Sequence, residues 1–241
     1  MNTRLSYSSL KAFAKSPNHY LLYKSRKMKP TPAMQLGSLA DCMILTPSLF
    51  EKRYSVLPKF DRRTKEGKAI YDTFLEDAQG KELVKMETYQ EAKSITDAVI
   101  NHRGAMELLY YKKTEKQVEL TGTIHGIEFR GFADAVNSNS VIDLKTTQDA
   151  SPSAFQKQAY NLMYHLQCAI YLELSGADNF FWVAVENKAP HNVAIYAPDQ
   201  DFKDRGQELL YDLCQRFKAW DGTPESYSQQ IELLTLPNWS R

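Results

Sequence analysis

Two aspartates and one lysine lie on either side of a predicted β-turn. Asp134 precedes the turn at 137–140, and Asp143 and Lys145 follow it, in segments rich in Val, Ile and Phe. Side chains alternate between the two faces of a strand, so Asp143 and Lys145 share one face. Paired carboxylates bind a hard divalent cation, and a nearby ammonium group stabilises charge that develops on a phosphate. The alternative is a surface ion cluster in which the lysine only neutralises the aspartates.

The length of the turn sets which residues face each other across the hairpin. If Val136 pairs with Val141, then Asp134 lies directly opposite Asp143. The Cβ atoms of opposed residues are roughly 4.5–5.5 Å apart, and like charges there destabilise a sheet. We therefore expect a compensating Mg²⁺ ion, which would activate a water molecule and shield a phosphate under attack. Phosphodiester hydrolysis is the chemistry that this arrangement predicts.

A stripe of amide and tyrosine side chains follows the hairpin. A serine cap and a proline at the first helical position predict one long helix over 151–174. At helical periodicity, five polar and aromatic side chains fall on one side of this helix: Gln156, Tyr160, Tyr164, Gln167 and Tyr171. Such a stripe suits contacts with a nucleic-acid backbone through hydrogen bonds and ring faces. The alternative is a row of tyrosines at the edge of the core.

The elements that must position these residues alternate between helices and strands. Helices are predicted from a cap at Ser8 or Ser9, after Pro17, and over 35–44, 69–78, 88–103 with Thr88 as cap, 151–174 and 199–220. Strands are predicted over 117–123, 127–136, 141–146, 180–185 and 193–197. This order favours an α/β or α+β domain built on one central sheet. We expect a single domain over 1–241, with a mainly helical part at 1–110 and a sheet-containing core at 111–241.

Composition and charge restrict the class of protein. The 241 residues are 43% hydrophobic and 24% charged, which is typical of a soluble globular chain. Residues 1–68 hold 14 Lys and Arg against 4 Asp and Glu, and the remainder holds 16 against 25. The basic N-terminal part indicates a phosphate-backbone partner, or else a solvated surface that balances the rest. With no apolar run long enough to span a bilayer, no signal peptide and three scattered cysteines, we expect a cytoplasmic protein that does not bind membranes.

Several segments together resemble one family of nucleases. Gly-Phe-Ala-Asp at 131–134, Ile-Asp-Leu-Lys at 142–145 and the pair Gln167 and Tyr171 are similar to the PD-(D/E)xK nuclease superfamily. More closely, the chain resembles the RecE-type exonuclease VIII catalytic domain of phages and prophages. The likeness includes LGSLADCMILTP at 36–47, PKFDRRTKEGK at 58–68, YHLQCAIYL at 164–172 and LPNW at 236–239.

This resemblance implies a fold and an activity. The fold would be restriction-endonuclease-like, with a central mixed β-sheet flanked by helices. The activity would be Mg²⁺-dependent 5′→3′ degradation of double-stranded DNA from its ends, with Mn²⁺ as a substitute ion. It would leave 3′ single strands for a strand-annealing partner in DNA recombination, inside a bacterial cell or a phage-infected host. The resemblance also implies a ring-like homo-oligomer.

The resemblance further implies roles for individual residues. Asp134, Asp143 and the main-chain carbonyl of Leu144 would be metal ligands, and Lys145 would be the catalytic lysine. Gln167 and Tyr171 would line the active site. The chain departs from the family at one metal-site position, where the family has a histidine and this sequence has Asp41. An aspartate can still bind Mg²⁺, and a further acidic ligand could come from Glu115 or Glu119.

A compact basic cluster is the best candidate for contacts with DNA phosphates. It contains Arg62, Arg63, Lys65 and Lys68, and Tyr160 and Tyr164 are expected to contact DNA from the helix described above. Two other functions remain open: a metal-dependent endonuclease of the same superfamily, and a catalytically weakened DNA-binding module. Endonucleases share the same active-site residues, whereas Asp41 motivates the second alternative.

Overall fold

A helical N-terminal part precedes a strand-rich part of the chain. The computed structural model describes residues 4–25, 31–58, 63–111, 113–224, 231 and 233–235. The helices are α1 (Tyr7–Lys15), α2 (Pro17–Ser25), α3 (Pro32–Leu45), α4 (Phe50–Arg53), α5 (Lys65–Asp77), α6 (Met86–Asn101), α7 (Arg103–Leu109), α8 (Pro152–Asn161), α9 (Tyr164–Ser175) and α10 (Gln200–Ala219), with a 3₁₀ turn at Pro47–Leu49. The strands are β1 (Tyr54–Leu57), β2 (Glu82–Lys85), β3 (Glu115–Ile124), β4 (Ile127–Asn137), β5 (Ser140–Thr147), β6 (Asn179–Glu186) and β7 (Val193–Tyr196).

A five-stranded mixed sheet in the order β3-β4-β5-β6-β7 forms the centre of the fold. The pair β5 and β6 is parallel, with α8 and α9 between the two strands in sequence, and the other pairs are antiparallel. One apolar core packs α1, α9 and α10 against the sheet, and a second packs α3, α6 and α7 against its opposite face. This arrangement confirms the predicted α/β fold. No described helix is long and apolar enough to cross a membrane.

The hairpin of β4 and β5 has the predicted register only near its turn. Val136 pairs with Val141, as expected, but the ladder ends at the pair Ala135 and Ile142. Beyond this point β4 separates from β5. The free edge of β4 instead bonds to the N-terminal segment, where Leu5 exchanges backbone hydrogen bonds with the strand on either side of Phe129. The two strands therefore form a fork that opens where the aspartates begin.

The prediction of one helix over 151–174 was wrong. The chain forms α8 and α9, which are separated at Leu162 and Met163. Met163 adopts a left-handed backbone conformation, with φ 58° and ψ 42°. The local sequence contains neither Gly nor Pro, so it carries no signal for this break. Because the periodicity restarts at α9, the stripe predicted across the whole segment is divided: Gln156 and Tyr160 on α8 are exposed, whereas the members on α9 are buried.

Several helix starts differ from the sequence prediction. Helix α1 is capped by Ser6 rather than by Ser8 or Ser9, because the Ser6 and Ser9 side chains satisfy each other's backbone N–H groups. Helix α6 begins two residues before Thr88 and has no side-chain cap. Helix α5 begins four residues before Ala69. The short parallel pair β1 and β2 was not predicted, since four-residue strands carry little periodicity.

Candidate functional site

Asp134 lies at the opening of the fork between β4 and β5. Its Oδ2 accepts a hydrogen bond from the Leu144 N–H at 2.8 Å, and its Oδ1 accepts one from Gln117 Nε2 at 3.2 Å. The carboxylate thus bridges the gap that the ladder leaves. The N–H and C=O of one strand residue point toward the same edge, so the Leu144 carbonyl also faces the fork.

Asp143 is buried and held by two side chains. Lys145 Nζ lies 2.6 Å from its Oδ2, and Gln167 Nε2 donates to its Oδ1 at 2.7 Å. Lys145 is on β5, two residues from Asp143, and Gln167 comes from α9, which packs beneath the sheet. The structure therefore brings together Asp134, Asp143 and Lys145, here called the hairpin cluster, with Gln167 beside it.

Burial and mutual repulsion set the charges of the hairpin cluster. Burial raises the pKa of Asp134 to about 7, and Asp143 adds to this rise, while Lys145 and the bonds from Leu144 and Gln117 oppose it. Burial alone would lower the pKa of Lys145, but the charges of Asp143, Tyr164 and Asp134 outweigh it and hold that pKa above its usual value. Lys145 is therefore an ammonium group throughout the physiological range.

Asp41 lies on α3, next to the hairpin cluster. A Cβ atom on Gly37, one helical turn earlier, would lie 3.1 Å from Thr146 Oγ1 on β5, so glycine allows α3 to pack closely on the strand. Asp41 and Asp134 line one cavity of about 280 Å³, together with Arg53 and Gln117. Burial and the charge of Asp134 raise the pKa of Asp41 well above its usual value, against the attraction of Lys145.

The donor chemistry of this site fits a hard divalent cation. Asp41, Asp134 and Asp143 offer carboxylate oxygens, and Lys145 supplies a single positive charge against them. The pKa values of Asp41 and Asp134 are raised because burial and repulsion by neighbouring carboxylates make their negative charges unfavourable. A bound cation would reduce this electrostatic cost. Among the described residues, no three His, Cys, Asp or Glu side chains converge closely enough to hold a metal ion. The fit therefore rests on charge and ligand type rather than on a closed set of ligands.

Tyr171 fixes β4 beside the hairpin cluster. Its hydroxyl donates to the Phe132 carbonyl at 3.1 Å. Its ring occupies the space where a side chain on Gly131 would be, because a Cβ atom there would lie 2.8 Å from the ring. Burial, assisted by Asp143, raises the pKa of Tyr171 to about 12, so the hydroxyl remains a hydrogen-bond donor. The contact connects α9 to the strand that carries Asp134.

Two further tyrosines surround Lys145. The Lys145 ammonium lies 5.1 Å from the centre of the Tyr164 ring, and Tyr164 is buried on α9 rather than displayed to solvent. Tyr7 on α1 donates from its hydroxyl to the Leu162 carbonyl. Burial raises the pKa of Tyr7, and among the charges that act on it Lys145 has the largest effect and opposes the rise. The N-terminal helix thus contributes to the wall of the site.

Neither candidate for an additional acidic ligand contacts the site. Glu119 is exposed and forms an ion pair with Arg130 at 2.6 Å, on the same face of the sheet as Asp134. Glu115 is exposed and pairs with Val136 near the hairpin turn. Neither glutamate is among the groups that shift the pKa of Asp134.

The residues expected to contact DNA are divided between different places. Arg63 lies just before α5, and Lys65 and Lys68 lie in its first turns; all three are exposed. Arg62 lies outside the described residues. Tyr160 is 65% exposed on α8, whereas Tyr164 is 6% exposed beside Lys145. Of the two tyrosines, only Tyr160 is accessible to an external strand.

Sequence reasoning missed several residues around the site. Gln117, which binds Asp134, has a positive φ of 52° that distorts β3 opposite the aspartate. Tyr7 and Arg53 reach the site from the N-terminal part. Strand alternation places Gln117 on the face of β3 that Asp134 occupies on β4, so a register for the first hairpin would have found it. Nothing local to Tyr7 or Arg53 indicates their position.

A family model matches residues 6–234, nearly the whole chain. Its description is a PDDEXK-like domain of unknown function, DUF3799. The chain belongs to this family. The match confirms the PD-(D/E)xK resemblance recognised in the sequence, and it extends over both the helical N-terminal part and the sheet.

A solved structure is similar to this chain in fold. The "putative exonuclease" of Eubacterium rectale is 16% identical with a TM-score of 0.63, and the match covers 98% of this chain and 91% of that chain. A phage related exonuclease from Haemophilus somnus 129PT is 14% identical with a TM-score of 0.40, over 91% of this chain and 95% of that one. An alkaline exonuclease from Laribacter hongkongensis is 10% identical with a TM-score of 0.33, over 72% and 93%. No curated protein matches the chain.

Proposed function

We propose that this protein is a Mg²⁺-dependent exodeoxyribonuclease that degrades double-stranded DNA from its ends in the 5′→3′ direction. The observation that carries the proposal is the hairpin cluster, in which Lys145 Nζ lies 2.6 Å from Asp143 with Asp134 at the fork beside them. Membership of a PDDEXK-like family supports a nuclease. Direction and end-dependence rest on the resemblance to exonuclease VIII.

Four groups would hold the metal ion. They are the carboxylates of Asp41, Asp134 and Asp143 and the carbonyl of Leu144. When bound, Mg²⁺ would act as a Lewis acid toward the scissile phosphate and make water more acidic, and Mn²⁺ would substitute for it. The fork supports this role, because it leaves the edge of β5 near Leu144 unpaired with β4.

Lys145 would act as a cation rather than as a general base. Its pKa is held above the usual value of a lysine, so it has no lone pair to accept a proton at neutral pH. An ammonium group in this position stabilises negative charge that develops on the phosphate during attack. Gln167 would keep Asp143 oriented, since its amide donates directly to that carboxylate. Tyr171 would hold the strand that carries Asp134.

The product strands and partners follow from the proposed polarity. Degradation of one strand leaves a 3′ single-stranded tail, which is the substrate of a strand-annealing protein in recombination. A ring-like homo-oligomer around the duplex would keep the enzyme on its substrate. Arg62, Arg63, Lys65, Lys68 and Tyr160 would contact the DNA backbone outside the metal site.

Degradation of end-labelled DNA tests the proposal. Linear duplex labelled at the 5′ or the 3′ end is incubated with protein in Mg²⁺ or in EDTA, with closed circular duplex as a second substrate. We expect loss of linear duplex from 5′ ends only in Mg²⁺, and an intact circle. Cleavage of the circle would indicate the endonuclease, whereas binding without cleavage would indicate the DNA-binding module.

A lysine variant links this activity to the hairpin cluster. Lys145→Ala should lower the rate by at least about 100-fold, the effect of removing one electrostatic contact in an active site. Lys188→Ala is the matched control, because Lys188 is exposed and binds Glu91 away from the cluster. Turnover by Lys145→Ala at the rate of the control would refute the assigned role.

A further inference from the structure

A groove of about 1060 Å³ runs along the N-terminal helices. It lies between α1, α2, the start of α3 and the break between α8 and α9. Lys11, Lys15 and Lys24 line it together with Tyr23, Met34 and Leu162. The groove is several times larger than the cavity that contains Asp41 and Asp134, and none of its described lining residues belongs to the hairpin cluster.

The groove is positively charged, and its described lining residues include no carboxylate that would neutralise its lysines. Lys11 and Lys15 are one helical turn apart on α1, and Lys24 projects from α2. None of the described residues that line the groove is Asp or Glu, and none of the ion pairs found within the described ranges involves these three lysines. Spaced lysines without carboxylate partners are suited to the phosphates of a nucleic-acid strand.

The apolar part of the groove distinguishes an unpaired strand from a duplex. Leu22, Tyr23, Met34 and Leu162 are 37–47% exposed, and all four line this one groove. A duplex presents phosphates and sugars to a basic surface and keeps its bases stacked inside. Unpaired bases instead need ring and apolar faces to stack on, next to cations that follow the backbone. The groove has both features side by side.

The groove lies next to the hairpin cluster. Met163 lines the groove, and the ring of the following residue, Tyr164, lies 5.1 Å from the Lys145 ammonium. Burial lowers the pKa of Lys11, and the charge of Lys145 lowers it further. The Lys11 ammonium also lies 4.9 Å from the centre of the Tyr7 ring, and Tyr7 bonds to the Leu162 carbonyl. A strand in the groove would therefore continue into the site.

We propose that this groove binds a single-stranded segment of DNA continuous with the strand at the hairpin cluster. Lys15 and Lys24 contact its phosphates, and Tyr23 stacks on a base. The proposal rests on the proposed function and adds to it, because the site then accepts a strand already separated from its complement.

Binding of an oligothymidylate in EDTA tests the groove without any cleavage. Fluorescence anisotropy is measured over a range of salt for the wild type and for the pair Lys15→Gln and Lys24→Gln. Two lost phosphate contacts should lower the slope of log affinity against log salt by about 1.4, at roughly 0.7 per contact for single strands. Tyr23→Ala should weaken binding about 5- to 150-fold, the range for one stacked base.

A control pair and a second DNA complete the test. Lys93→Gln with Lys188→Gln makes the same change of net charge on the side of the sheet where α6 packs, and should leave the slope unchanged. Blunt duplex should bind the Tyr23→Ala variant as tightly as the wild type. An unchanged slope for Lys15→Gln with Lys24→Gln, or an equal loss for duplex and single strand, would overturn the proposal. Because these measurements need no metal ion, failure of the nuclease assay leaves their result interpretable.

Discussion

Replacement of Asp134 by Asn should stabilise the protein at neutral pH while it removes the proposed activity. The Asp134 carboxylate is confined near Asp143 and has a pKa of about 7, against an ordinary value near 3.8. Asn keeps an oxygen that accepts the Leu144 N–H, and the Gln117 amide can turn to match the new NH₂ group. The variant therefore loses a proposed metal ligand and a partly buried charge but keeps the hydrogen bond to the Leu144 N–H that joins β4 to β5.

The size of the expected stabilisation follows from the difference between the pKa of Asp134 in the folded protein and in the unfolded chain. A rise of about 3 units corresponds to no more than about 4 kcal/mol, at about 1.4 kcal/mol per unit. Since the folded pKa lies above the unfolded value, protonation favours the fold. The stabilisation that a protonated Asp134 contributes to the wild type is fully present below about pH 4. It falls as the pH rises toward 7 and stays low above pH 7. For a domain of this size, each kcal/mol shifts Tm by roughly 2–4 °C.

Thermal unfolding in EDTA across pH 4.5–8.5 measures the effect, with the difference between Asp134→Asn and wild type as the readout. This difference should increase up to about pH 7 and then level off. Added Mg²⁺ should raise the Tm of the wild type and have little effect on the variant. Asp178→Asn, at an exposed position, is the control. Parallel curves for Asp134→Asn and wild type over the whole range would refute the electrostatic account.

Three other sets of substitutions test the surroundings of the site. Arg62→Ala with Arg63→Ala should lower the log–log salt slope of duplex binding by about 1.8, and an unchanged slope would mean that neither arginine contacts a phosphate. Asp41→Ala should raise the Mg²⁺ concentration for half-maximal activity and Asp41→His should shift preference toward Mn²⁺, whereas superimposable metal titrations of Asp41→Ala and wild type would exclude Asp41 as a ligand. Gly131→Ala should displace the Tyr171 ring and cost about 1–3 kcal/mol in chemical denaturation, so wild-type stability would show that the ring adapts.

The hairpin cluster could be predicted because its determinants are local. Alternating apolar residues define β4 and β5, and a short turn between them fixes the pairing of Val136 with Val141. The separation of the strands beyond that pair could not be predicted, since it depends on Leu5 bonding to the edge of β4 from the other end of the domain. The predicted register was correct only near the turn, because Asp134 bonds to the Leu144 N–H rather than facing Asp143 across a paired ladder.

The position of Asp41 depends on packing that no local pattern reveals. The residue pattern of α3 predicts a helix with small residues but does not place it in the fold. The expectation that Asp41 belongs to the site came only from the family resemblance. The structure supplies the physical reason, which is the close approach of Gly37 to Thr146. That approach brings α3 to the fork, and Asp41 is one turn further along the helix. A residue more than 90 positions earlier in the chain thereby shares a cavity with Asp134.

The break between α8 and α9 connects the basic N-terminal helix to the hairpin cluster. In a continuous helix, the Leu162 carbonyl would accept the N–H of Leu166, but here Leu166 donates to Met163. The Leu162 carbonyl is left to the Tyr7 hydroxyl, so α1 is tied to the point where the helix is interrupted. The new start of the helix also turns Tyr164 inward to Lys145. In a helix without the break, the Leu162 carbonyl would be used within the helix. The Tyr7 hydroxyl would then lose its hydrogen bond, and α1 would not be held beside the site by it.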